Sequence, residues 1–255
     1  MKNAILIEQH QHIYTIIFNR TEKHNAFDDH FIDMLHHYLL EASNKEEVHL
    51  VVLKARGQHF SAGADLRWMQ RMVEMSEAEN IIDATKLAAL LHTLYHLKKP
   101  TLSLIQGPTF GGGVGLIAAT DIALAAESAR FCFSEVKLGL IPAVISPFVI
   151  DAIGARAASW LFMSAETFDA HKALELQLIH RVIPDALFEA ETTRYIEQLS
   201  QLPTEAMHLA KQLVRTVQHQ PIDENIQTIT ATMIAKRRVS EEGQRGILAF
   251  LNKAR

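Results

Sequence analysis

The stretch QGPTFGGGVGLIAATDIALAAESARFCFSEVKLGLIP, residues 106–142, decides the reading of this chain. An apolar run, Thr101 to Ile105, precedes it and reads as a buried strand. Three glycines follow, Gly111, Gly112 and Gly113, and then a helical apolar patch through Val114, Leu116, Ile117, Ala118 and Ala119. A second strand-like run covers Asp121 to Ala125. Glycine at a strand-to-helix junction lets the backbone turn with φ above zero and leaves N–H groups uncovered. Such amides, helped by the helix dipole, suit a carbonyl oxygen that gains negative charge. Further on, Glu135 is a carboxylate set among Phe131, Phe133, Val136 and Leu138. Burial there would raise its pKa and make it a candidate base. Anion-stabilising amides and a base on one stretch point to enolate chemistry.

Working outward, HLVVLKARGQHFSAGADL (49–66) has the same grammar as PTLSLIQGPTFGGGVGL (100–116): apolar strand, small-residue loop, helix. Asp65 is placed to cap a helix starting near Leu66. The repetition predicts a strand–strand–helix unit whose neighbouring parallel strands deliver two loops to one edge. Ala62 and Gly112 would then each offer an N–H to a single oxygen. The alternative, that SAGAD and GGG are merely flexible loops, fits the glycine count but not the matched context.

The N-terminal part alternates in short strands, Ile5 and Ile7 and then Ile13, Thr15 and Ile17, around a polar turn from Gln9 to His12. Asn19 to Asn25 reads as a loop, Ala26 to Ala42 as an amphipathic helix, and Leu50 to Leu53 as a buried strand. From Ser146 to Ala173 the pattern is helical with a stop at Ile153-Gly154, and Leu178 to Ile183 is a last strand. Helices are then expected over Ala186–Leu202, Thr204–Gln218, Ile222–Val239 and Ser240–Lys253, with Ser240 capping the last. The fold class is α/β with a helical tail, divided as a core over residues 1–195 and a helical part over 196–255. The tail is apolar enough to predict packing against a partner subunit.

Composition sets outer bounds. The 255 residues are 48% hydrophobic and 21% charged, with a net charge of −4. That balance argues against a nucleic-acid footprint, and Lys236-Arg237-Arg238 reads as solvated helix face. A single cysteine, Cys132, excludes an intrachain disulfide. The N-terminus lacks a signal-peptide pattern and no apolar run reaches the ~20 residues of a membrane span, so a cytoplasmic protein is expected. The fourteen histidines have no zinc-like spacing and read as surface residues.

Five segments together resemble the crotonase (enoyl-CoA hydratase/isomerase) superfamily: NRTEKHNAF (19–27), GQHFSAGADL (57–66), the Gly111–Gly113 loop with ATDIALA (119–125), FSEVKLGLIP (133–142) and AFLNKA (249–254). The resemblance implies a spiral of strand–strand–helix turns, a C-terminal helical trimerisation region, and a homotrimer or a dimer of trimers. It implies an acyl-CoA thioester as partner, with its carbonyl oxygen held by the N–H groups of Ala62 and Gly112. Coenzyme A enters as part of the substrate and no separate cofactor is implied. Gly63, Ala64, Asp65 and Gly111 would line the thioester site. Lys23 and His24 would meet the adenine–pantetheine portion, and Phe250 and Lys253 the nucleotide.

Glu135 matches the glutamate that handles the substrate proton in the hydratases of the family. Their second glutamate falls at Gly115, which moves no proton. Gly115 serves either close helix packing or room for a branched acyl chain. The surrounding pattern is similar to bacterial methylglutaconyl-CoA hydratases of leucine degradation and to isohexenylglutaconyl-CoA enzymes. Arg67 and Lys137 are candidate cations for a second substrate carboxylate. The expected activity is hydration of an α,β-unsaturated acyl-CoA. The alternatives are a Δ3–Δ2 enoyl-CoA isomerase and a non-catalytic CoA-binding scaffold.

Overall fold

The computed structural model describes residues 3–253. Alternating apolar residues build the first two strands, β1 (Ile5–His10) and β2 (Ile13–Phe18), paired antiparallel with Ile5 opposite Phe18. The connection is tighter than the expected Gln9–His12 turn because both strands run on and Gln11 takes a left-handed conformation, φ 51°. There follow α1 (Asp29–Asn44), β3 (Leu50–Ala55), α2 (Leu66–Glu74), α3 (Glu77–His96), β4 (Thr101–Ile105), β5 (Pro108–Phe110) and α4 (Gly112–Ala118). Next come β6 (Ile122–Ala126), β7 (Arg130–Cys132), α5 (Ser146–Ser164), β8 (Phe168–Asp169), α6 (Ala170–Glu175), β9 (Arg181–Ile183) and α7 (Phe188–Ser200). The chain closes with α8 (Thr204–Val217), α9 (Glu224–Val239) and α10 (Glu241–Lys253).

The repeated unit is a turn of a spiral. One sheet runs β1-β2-β3-β4-β6-β9, parallel from β2 onward, and a smaller one runs β5-β7-β8. Each turn gives one strand to each sheet: β4 with β5, then β6 with β7. The first turn contributes β3 and, in place of a full strand, an isolated parallel bridge from Ser61 to Thr109. Strand alternation sorts the apolar residues. Val51 and Leu53 face the main core, while Leu50, Val52, Leu102, Leu104 and Leu124 face a second layer covered by α7 through Phe188, Tyr195 and Leu199. Each such buried side chain contributes ~1.5–3 kcal/mol.

Two elements depart from the pattern read in the sequence. The region after Leu66 holds two helices, because Ser76 starts a new one: its Oγ accepts from Glu79 N–H while the Glu79 carboxylate accepts from Ser76 N–H. Gly154 (φ 77°, ψ 156°) interrupts α5 without ending it, and β8 and α6 replace the end of the expected helix. The tail is helical as expected, with Ser240 Oγ accepting from Gly243 N–H at 3.1 Å. The expected division after residue 195 falls inside α7. Asp121 anchors the tail to the sheet, accepting from Thr101 N–H and Oγ1 at 2.8 Å and pairing with Lys211 of α8 at 2.6 Å. Among the described residues, no helix is long and apolar enough to cross a membrane.

Candidate active site

Parallel pairing brings three loops to one edge. Phe110 N–H donates to Ser61 O, and Gly111 N–H donates to Cys132 O, both at 2.9 Å. The triple glycine is thereby fixed between the SAGAD loop and the segment carrying Glu135. Gly111 turns the chain with φ 50° and ψ −121°, and a Cβ there would stand 2.9 Å from Glu135 Oε1. Its glycine is required on both counts. Gly112 is the first residue of α4, so its N–H has no acceptor within the helix, and it donates to nothing among the described residues. The Phe27 ring covers it: a Cβ at Gly112 would lie 2.7 Å from Phe27 Cζ.

On the SAGAD loop the expected donor is corrected. Ala62 N–H already donates to His24 O at 2.9 Å. Ala64 pairs with Phe27 in a parallel bridge, in which Phe27 N–H donates to Gly63 O and Asp65 N–H donates to Phe27 O. Backbone groups of an extended segment alternate sides. The bonds of Gly63 and Asp65 to Phe27 therefore turn the Ala64 N–H away, and among the described residues it donates to nothing. Ala64 is also exposed where Ala62 is half-buried. The pair of amides suited to an oxyanion is Ala64 and Gly112. Gly63 supplies the left-handed residue before it, φ 83°.

Glu135 follows β7 and opens a single 3₁₀ turn, Glu135–Leu138, capped by left-handed Gly139. Its main chain is fixed by Leu140 N–H donating to Glu135 O at 3.0 Å. Glu135 Oε2 is buried without a hydrogen-bond partner among the described residues. Burial pushes the carboxyl above the usual range, with a hydrogen bond from its own main chain opposing. This is the profile of a proton-carrying group in a dry site.

Of the two readings of Gly115, close packing holds and room for a branched acyl chain does not. Gly115 is buried, and a Cβ there would stand 2.7 Å from Ile145 Cβ and closer still to its Cγ2. Close packing is the reason for this glycine. Asp65 lies at the heart of the loop scaffold: its Oδ1 accepts from Arg67 and Trp68 N–H, and its Oδ2 is 2.6 Å from Lys23 Nζ and 3.3 Å from Arg20. Burial would raise its pKa, but the bonds from Lys23 and the two amides outweigh that and lower it. Asp65 and Lys23 thus hold each other. His24 (φ 51°) holds its ring 4.3 Å from that of His59, tilted by 44°, and lends its carbonyl to Ala62.

Other expected contacts stand apart. Phe250 on α10 is 71% exposed and makes no aromatic contact or hydrogen bond to these loops among the described residues. The side chain of Lys253 lies outside the described residues. Arg67 and Lys137 are exposed. Sequence reasoning missed Asn25, Phe27 and Ile145. Buried Asn25 donates to Arg56 O and His59 O and accepts from Arg20 N–H, which knits the 19–27 loop to the base of SAGAD. Asn25 and Phe27 lay inside a quoted motif, but their roles depend on contacts the chain order does not reveal.

A cavity of about 850 Å³ lies elsewhere, between α8 and the ends of α3 and α4. Its charged groups are already paired, Lys211 with Asp121 and Arg215 over the Tyr95 ring, whereas Glu135 Oε2 has no partner among the described residues. That unpartnered oxygen makes Glu135 the candidate for proton chemistry. No cluster of three or more metal-binding side chains exists among the described residues.

The spiral of strand–strand–helix turns, with three loops gathered at one edge, defines the class of fold, and known proteins share it. The family model described as enoyl-CoA hydratase/isomerase matches residues 8–255. A Legionella pneumophila protein bearing the name enoyl CoA hydratase/isomerase (crotonase) is 49% identical, with TM-score 0.96, covering 99% of this chain and 98% of its own. An enoyl-CoA hydratase from Shewanella pealeana is 43% identical, with TM-score 0.93, covering 98% and 94%. A 4-chlorobenzoyl coenzyme A dehalogenase of an Arthrobacter species is 31% identical over 218 residues, 83% of this chain and 77% of its own. The chain belongs to the enoyl-CoA hydratase/isomerase family.

Proposed function

We propose that the chain is an enoyl-CoA hydratase whose substrate is a branched α,β-unsaturated thioester such as 3-methylglutaconyl-CoA. One observation carries the reading: the Glu135 carboxyl, its Oε2 buried and without a partner among the described residues, stands against the turn that presents the free N–H of Gly112. The thioester oxygen would sit between Ala64 and Gly112 N–H. Enolate character at that oxygen is then stabilised by fixed dipoles, each donor worth ~3–4 kcal/mol of barrier. Ionised Glu135 takes a proton from the water that attacks the β-carbon and delivers it to the α-carbon, which regenerates the carboxylate. The names of the similar proteins support an acyl-CoA thioester as ligand.

A second reading is favoured by one specific feature. Ile145 fills the space over Gly115, so Glu135 stands without a carboxylate there, and a Δ3–Δ2 isomerase needs only one. Incubation with crotonyl-CoA and with a 3-enoyl-CoA separates the two. Loss of enoyl absorbance from the first is expected; its appearance from the second alone would establish isomerisation. Within the hydratase reading, 3-methylglutaconyl-CoA should exceed crotonyl-CoA in kcat/KM on the order of 10-fold or more. Coenzyme A binding with no turnover of any thioester would indicate a scaffold instead.

The enzyme is proposed to work as a homotrimer or dimer of trimers in the cytoplasm, with no cofactor beyond the coenzyme A of its substrate. Ile222, Val239 and Phe250 of the tail are 93%, 79% and 71% exposed, which supports burial against another subunit.

A further inference from the structure

We propose that Ile145 is a specificity-determining wall of this site, bounding the substituent at the substrate's β-carbon. The inference rests on the acyl-CoA reading above, whether hydration or isomerisation. Gly111 is the N-cap of α4 and Gly115 lies one turn into the helix, its N–H donating to Gly111 O at 3.3 Å, so the two stand about one helical pitch, ~5.4 Å, apart. A Cβ on the first would meet Glu135 Oε1 at 2.9 Å, and a Cβ on the second would meet Ile145 Cβ at 2.7 Å. The start of α4 is therefore met by the carboxyl at its cap and by the isoleucine one turn on.

Ile145 is anchored. It is 2% exposed and directly precedes α5, with Val149 N–H donating to its carbonyl at 3.1 Å. A β-branched side chain so held has few rotamers to yield into. Gly115 and Ile145 consequently work as a matched pair, one giving up its side chain to the other. Two results follow for chemistry. No polar group can occupy that turn while Ile145 fills it, so water beside Glu135 finds an apolar surface there. The isoleucine carbons also bound the space toward Gly115, so a larger β-substituent meets them.

The test uses full-length Ile145→Ala, Gly115→Ala and the double variant, each checked for folding by its melting temperature. The readout is kcat/KM for crotonyl-CoA and for a 2-enoyl-CoA carrying a propyl group on the β-carbon. In Ile145→Ala the branched-to-linear ratio should rise on the order of 10-fold or more. Gly115→Ala should melt lower and lose activity on both thioesters, and adding Ile145→Ala should restore melting and raise the ratio. An unchanged ratio in folded Ile145→Ala, or a Gly115→Ala as stable as the parent, would overturn the proposal. Calorimetric binding of the two saturated thioesters reads the same ratio without turnover. An inactive parent would thus sink the hydratase reading while still deciding the role of Ile145.

Discussion

Glu135→Gln should lower kcat on the order of 10²-fold or more and, near neutral pH, melt at a higher temperature than the parent. The two effects have one cause. Burial disfavours the charged carboxylate and raises the pKa above the ordinary 4.5, with a main-chain hydrogen bond only partly opposing. In the unfolded chain the group ionises normally. The folded state therefore binds the proton more tightly, and stability falls as pH rises through the raised pKa. Gln removes that penalty, so its advantage is present at neutral pH and disappears below about pH 4.5, where both states of the parent hold the proton. In the parent, kcat/KM should also show an acid limb above 4.5, since a base must first lose its proton. Melting curves from pH 4 to 8, with pH–rate profiles for both proteins, check the pair of effects. A Gln variant with full activity would remove Glu135 from the mechanism.

The second large effect is expected at a residue that transfers no proton. Asp65→Ala should destabilise the fold by about 3 kcal/mol, combining the lost cap of α2 with the loss of a carboxylate from buried Arg20. Arg20 keeps Asp28 at 2.9 Å, which limits the damage, and Lys23, more exposed, finds water. Asp65 directly follows Ala64, so loosening it moves the amide proposed to face the thioester oxygen. Activity should fall about tenfold in addition, as for a displaced oxyanion donor. Asp65→Asn keeps an acceptor for the Arg67 and Trp68 amides and should recover about 1 kcal/mol. Urea unfolding and kcat/KM of both variants decide it. A loss under 1 kcal/mol in Asp65→Ala, with activity intact, would mean that the ion pairs do not hold the loop.

The sequence carried the fold further than it carried the atoms. Matched strand–loop–helix grammar at 49–66 and 100–116 foretold the neighbouring parallel strands, because that pattern is local and periodic. Asp65 as a cap and Ser240 as a cap were legible for the same reason. The Ser76–Glu79 capping box was there to be read, since its S-x-x-E pattern is local. Which amide of SAGAD stays free was not legible. Ala62 and Ala64 are the same residue type, and the distinction arises from a bridge to Phe27, distant in the chain, that consumes one set of backbone groups and exposes the other. The role of Gly115 was equally hidden, since a missing side chain declares space but not what fills it. Ile145 lies on another element, and only the packing of α4 against the start of α5 pairs the two.

The central claim is that Ala64 and Gly112 grip one oxygen while the carboxyl of Glu135 faces the carbon skeleton. A crystal structure of the enzyme with an unreactive acyl-CoA, such as butanoyl-CoA, tests it most directly. The thioester oxygen should lie about 3 Å from both amides, with Ala62 still bonded to His24. An oxygen bound instead to Ala62, or left to solvent with Glu135 turned away, would contradict the account.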